Sequence, residues 1–383
     1  MAAQLNPEIV NWAVKRSGLS EDYLPNKYPK YNQWLDGTWN PTVKQLKEVA
    51  NVLHVRLCEL FSDSVPDYDL QIADFRTIDD AQAKQPSPEL YDTIDMMLAR
   101  QIWMKDYFEF EGYSPVAFVG SYKDRPMNYE TAVLLAADMH SRLGLNGTWA
   151  SQCKTVDSAF KTLKNRIEMM SVSVVVNGVV GDNTSRSLDV DEFRGFVLAD
   201  ENAPIIFING RDTKSAQIFT LIHELCHLAY AQTGVSNASD DKDPSEDIEL
   251  FCNIVAAEFL VPAALLKGDW IKDSRDNYTK IKKTAAARKV NFIVVARKAR
   301  DMELVSQEEF FCLYNQYKSD LPPAKKRTGD GGKFILNKQY RLGNVFSDAV
   351  RTAVGTNYLD YRDAYDLTGM KAPTFKKYFE EVV

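Results

Sequence analysis

Ser215 to Tyr230 reads SAQIFTLIHELCHLAY, with no glycine or proline. Ile218, Ile222 and Leu225 recur at the spacing of one helical face, so a helix is predicted over this stretch. On it, His223 and His227 project from the same side, with Glu224 between them. Two imidazoles in reach of one point make a metal-binding pair, and the carboxylate beside them is placed as a base. The chain has only four histidines, and two fall within this motif, which argues against coincidence.

No histidine follows His227, so the third ligand is expected to be an acid on another element. A second helix is predicted from about Ser245 to Leu260, where Pro262 follows. Glu249, Asn253, Ala256 and Leu260 share one face of it, and the small alanines permit close approach to the histidine helix. Glu249 is the first candidate; Glu246, one turn earlier, and Cys252 are the alternatives. Zn2+ is the expected cofactor. Three protein ligands leave one position open for water, Glu224 is the general base, and peptide-bond hydrolysis is the expected reaction. Tyr230 and Tyr278 are candidates for stabilising an oxyanion, though no spacing aims either at the site.

Upstream, Phe193–Ala199 and Pro204–Ile208 are apolar runs split by Asp200, Glu201, Asn202 and Ala203, the pattern of an antiparallel hairpin. If the second strand lay at the sheet edge, an extended peptide could add to it and cross the metal; the alternative is an ordinary core strand.

A chain of 383 residues is long enough for two or three domains. No apolar run is long enough to span a membrane, and the first residues lack the basic and apolar regions of a secretory signal, so a cytoplasmic location is expected. Five scattered cysteines fit reduced thiols better than a disulfide framework, and Cys226 points away from the histidine face. A net charge of -7 disfavours a general nucleic-acid coat but not a local DNA-reading module.

Residues 1–64 read as a small helical domain: Pro7–Arg16, a turn at Gly18, a short helix containing Pro25, a helix from about Lys30 to Asp36, and a fourth opened by Asn40 and Pro41. This is a helix-turn-helix outline in which Lys30, Asn32 and Gln33 would face DNA. Acidic and basic residues nearly cancel across it, and a degenerate module serving dimerisation or partner contact is the competing expectation. Residues 65–128 read as a helical connector, with Tyr91–Glu111 packed in a core. Residues 129–320 form the expected catalytic domain, beginning with helices at Tyr129–Leu143 and Val156–Met169 and a strand at Ser171–Val176. Residues 321–383 open with the Pro- and Gly-rich linker Pro322–Gly332 and continue as helices at Val345–Val354, Tyr361–Leu367 and Thr374–Val382, with Gly369 in a turn. This mildly basic end is either a second helix-turn-helix-like unit, a docking surface, or a packing extension of the catalytic domain.

Several blocks resemble the ImmA/IrrE family of metallo-endopeptidases in the long form with an N-terminal XRE-type helix-turn-helix. They are WLDGTWNPT (Trp34–Thr42), ADFRT (Ala73–Thr77), GDNTSRSLDVDEFRGFVLAD, FINGRDTKSAQIFTLIHELCHL and ELFCNIVAAEFLVP. The last is similar to a family pattern of Glu, then Asn or Asp four residues on, which places the third ligand at Glu249; Val255 stands where the family usually has Phe. The resemblance implies a mainly helical α+β fold. It comprises an all-α helix-turn-helix domain, a zincin-like peptidase domain with a small antiparallel sheet, and a helical C-terminal extension. It also implies a cytoplasmic zinc endopeptidase that regulates transcription by cutting a partner such as a repressor encoded nearby. The alternative it carries is an antitoxin that binds operator DNA through the helix-turn-helix and a toxin through the peptidase-like domain. Either form admits a homodimer, and neither needs a membrane.

Overall fold

The computed structural model describes residues 5–17, 19–65, 73–74, 86–236, 247–321 and 334–381. The turn at Gly18, the residues 75–77 of the ADFRT block, Glu246 and the Pro322–Gly332 linker lie outside these residues. The chain divides into two compact units, residues 1–71 with 84–94, and residues 72–83 with 95–383.

The first unit holds α1 (Pro7–Arg16), α2 (Tyr23–Lys27), α3 (Tyr31–Leu35) and α4 (Val43–Leu53). Asn6 caps α1 with Pro7 in its first turn, and Thr42 and Gln45 form a reciprocal capping box on α4. Leu24, Tyr28, Tyr31, Trp34, Val49 and Leu53 share its core. The two middle helices are short, as the sequence pattern suggests. Tyr28 precedes Pro29 and is extended, at φ -125° and ψ 98°, because the proline ring disfavours helical backbone one residue upstream. Consequently α2 stops at Lys27, and the helix expected over Lys30–Asp36 follows as Tyr31–Leu35, with Lys30 at its N-cap and Asp36 at its C-cap.

The second unit is built round a mixed sheet ordered β1 (Ala73–Asp74), β7 (Gly234–Ser236), β5 (Gly195–Leu198), β6 (Ile205–Asn209), β2 (Ser173–Asn177). A separate hairpin joins β3 (Val179–Val180) to β4 (Asn183–Ser187). The expected hairpin is present, with Phe196 opposite Phe207 in antiparallel register and their rings stacked 4.8 Å apart. The edge expectation is corrected: β6 has β5 on one side and β2, in parallel, on the other, and all five of its residues are buried. A strand buried on both faces reads as a continuous apolar run, and IIFI fits that pattern.

α5 (Pro88–Phe110) leads into the second unit, followed by α6 (Tyr129–Arg142) and α7 (Val156–Glu168), close to the predicted spans. α8 (Lys214–Ala229) packs on β5 and β6, and α9 (Asp247–Leu260) packs on α8 and α6. Four further helices, α10 (Ala263–Lys272), α11 (Asn277–Arg288), α12 (Phe292–Asp301) and α13 (Gln307–Asp320), precede the C-terminal group α14 (Phe334–Leu342), α15 (Asn344–Gly355), α16 (Tyr361–Thr368) and α17 (Ala372–Glu381).

α14 and α15 lie against β2, and the buried Glu168 carboxylate accepts from Asn344 N and Nδ2, each at 2.7 Å, and from Lys164 Nζ at 2.6 Å. Gly343 makes the approach possible: its φ is +78°, and a Cβ there would stand 3.0 Å from the Val174 carbonyl. Asp182 adds ion pairs to Lys338 and Arg341. Among the described residues no single helix is long and apolar enough to cross a membrane.

Candidate metal centre

Thr213 caps α8 by accepting from Ala216 N, and from Gln217 to Ala229 every side chain but Phe219 is buried. The helix is therefore apolar nearly all round, as a core helix should be, and its polar residues need partners. His223 Nε2 and His227 Nε2 face each other at 3.1 Å. Glu249, from α9, completes the group with Oε2 at 3.1 Å from His223 Nε2 and Oε1 at 2.9 Å from His227 Nε2. The Glu249 side chain keeps 12% of its surface exposed, against 2% and 0% for the imidazoles.

Asn253 is one turn beyond Glu249 on the same face, and its Oδ1 lies 3.1 Å from His223 Nδ1. An amide oxygen only accepts, so Nδ1 is the ring nitrogen that donates to Asn253 and Nε2 is the one turned toward Glu249. The donor chemistry fits a metal ion: bonds of about 2.05 Å in a tetrahedral site put neighbouring donors roughly 3.3 Å apart, close to the separations here. Electrostatics agree. Burial alone would raise the Glu249 pKa, but the two imidazoles hold it well below the usual carboxylate range. Burial keeps His227 below its ordinary value, while at His223 the opposing pull of Glu249 outweighs burial and raises it. A carboxylate and two imidazoles so arranged form a group that can hold a metal ion.

Glu224 is completely buried on α8, next to His223 and one turn after Thr220. The remaining candidates are placed elsewhere. Cys252 is hydrogen-bonded to Cys226 between α8 and α9, outside the donor group, and burial drives its pKa up. Tyr230 packs its ring on Phe251, and burial pushes its hydroxyl pKa to about 12. Tyr278 donates to Asp320 Oδ2 at 2.6 Å, tying α11 to α13. In the first unit Asn32 and Gln33 are exposed, and Lys30 Nζ sits 3.1 Å above the Trp39 ring. The role of Asn253 went unread in the sequence, although its spacing from Glu249 was the available signal.

Residues 182–300 match a peptidase family model, Peptidase_M78, described as the IrrE N-terminal-like domain. The matched span runs through β5, β6, α8 and α9 and includes His223, Glu224, His227 and Glu249. It supports kinship of this part of the chain with the ImmA/IrrE peptidases, and the IrrE-like domain is thus of peptidase type. Residues 342–381, covering α15 to α17, match a domain of unknown function (DUF8813). No curated protein matches the chain.

Proposed function

We propose that the protein is a cytoplasmic zinc endopeptidase that regulates transcription by cutting a partner protein, such as a repressor encoded nearby. The observation that carries this reading is the convergence of His223 Nε2, His227 Nε2 and Glu249 from two helices, with the carboxylic acid Glu224 next to the first of them.

Zinc held by these three residues would supply a Lewis acid that polarises water and a peptide carbonyl. Glu224 accepts a proton from the attacking water at its carboxylate and returns it to the departing amine. Asn253 orients the His223 ring through Nδ1, so that Nε2 is the nitrogen available to a metal ion. Glu249 balances the positive charge while burial excludes bulk water from the histidines. In the first unit, the exposed Asn32 and Gln33 with Lys30 are the proposed operator contacts. The antitoxin alternative has no observation of its own, since toxin binding gives no reason for a general base at Glu224.

The test is cleavage of the proteins encoded beside this gene, by the wild type and by Glu224→Gln, followed by mass spectrometry of the products. One discrete cut by the wild type and none by Glu224→Gln is expected; identical products from both would overturn the reading.

A further inference from the structure

Resting on the peptidase reading, we propose that Gly195 is a positioning residue for Glu224. Gly195 opens β5, is fully buried, and lies under the turn of α8 that carries Thr220 and Glu224. A Cβ at this position would stand 2.7 Å from Thr220 Cγ2, 3.0 Å from Glu224 Oε1 and 3.0 Å from the Phe207 carbonyl oxygen. Contacts this short require something to move.

Two of the three neighbours have little freedom. The Phe207 oxygen belongs to the backbone of β6, which is paired on both sides, and Thr220 is a buried, β-branched residue inside a helix. β5 itself is held between β6 and β7, with Gly195 opposite Ile208 and Ser236. The end of the Glu224 side chain is the group best able to yield. The bare Cα of Gly195 therefore lets the strand close on the helix and leaves the Glu224 carboxylate where it stands beside His223. An alanine would move that carboxylate while leaving His223, His227 and Glu249, which meet on another face of α8, in place.

The experiment uses the full-length chain loaded with zinc, with three readouts: zinc per chain, affinity for acetohydroxamate by calorimetry, and kcat and KM on the cleaved partner. A hydroxamate chelates zinc and shares its proton with the neighbouring carboxylate, so its binding reports the Glu224 position without turnover. Gly195→Ala is expected to keep one zinc, to lose hydroxamate affinity as Glu224→Gln does, and to lower kcat by about 100-fold with KM little changed, the cost of roughly 1 Å of misplacement. Adding Thr220→Ser removes the methyl at 2.7 Å and should recover part of the lost thermal stability without restoring kcat or hydroxamate affinity, because the Glu224 contact remains. If Gly195→Ala alone does not fold, that double variant carries the same comparison. Wild-type kcat and hydroxamate binding in either variant, or their recovery together with stability, overturns the role. A wild-type chain that takes up no zinc defeats the peptidase reading as well, whereas zinc uptake with an unaffected variant defeats only the role of Gly195.

Discussion

Replacing Asn253 by alanine removes the one acceptor described for His223 Nδ1, a contact of 3.1 Å at a ring that is 1% exposed. Two routes give the size of the effect. A buried N–H left without a partner costs about 1–3 kcal/mol. Loss of the group that orients a metal-bound histidine lowers metal affinity by about 10–100-fold, equivalent to about 1.4–2.7 kcal/mol. The two ranges overlap because they describe the same event: the imidazole is free to rotate or to move its proton to Nε2, the atom the ion requires. Competition of zinc with a chromophoric chelator near neutral pH measures the change, and Asn253→Asp, which keeps the acceptor, should hold affinity close to wild type. Affinity of Asn253→Ala within about a factor of 2 of wild type would refute the reasoning, since that is below the cost of any lost buried hydrogen bond.

Glu168→Leu should leave Lys164 buried without a counter-charge, at a cost of about 3–5 kcal/mol and a fall in Tm of about 6 °C or more by calorimetry; adding Lys164→Met should recover the part due to Lys164 but not the two lost Asn344 bonds. At Asp182 burial raises the pKa, but hydrogen bonds from Lys338 and Arg341 outweigh it and hold the net value below the unfolded one. Its contribution is thus present above about pH 4 and is lost as pH falls through the lowered value, so acid should loosen α14, measured as protease sensitivity near Lys338, and Asp182→Asn should remove that pH dependence. Changing Lys30, Asn32 and Gln33 together to alanine should abolish a mobility shift on the DNA upstream of this gene, and an undiminished shift would remove these residues from DNA contact.

Helix α8 was legible because its evidence is local: an uninterrupted periodic stretch carries both histidines and Glu224. Glu249 was legible for a related reason, since its position relative to Asn253 and Ala256 sorts it onto the face that must meet α8. What the sequence concealed depends on contacts between distant segments. Nothing near Ile205–Asn209 announces that Ser173–Asn177 will pair with it in parallel and cover its edge. The docking of the C-terminal helices turns on Glu168 meeting Asn344, residues far apart in the chain, which spacing cannot reveal. Gly195 lies inside the apolar run Phe193–Ala199, and no local pattern places Glu224 against it.

Elemental analysis of the purified, full-length protein is the most direct measurement of whether His223, His227 and Glu249 hold an ion. One zinc per chain is predicted for the wild type and for Glu224→Gln, with loss in His227→Ala and in Glu249→Ala. Zinc that persists in both of those variants, or a wild type that stays metal-free in excess zinc, would contradict the account.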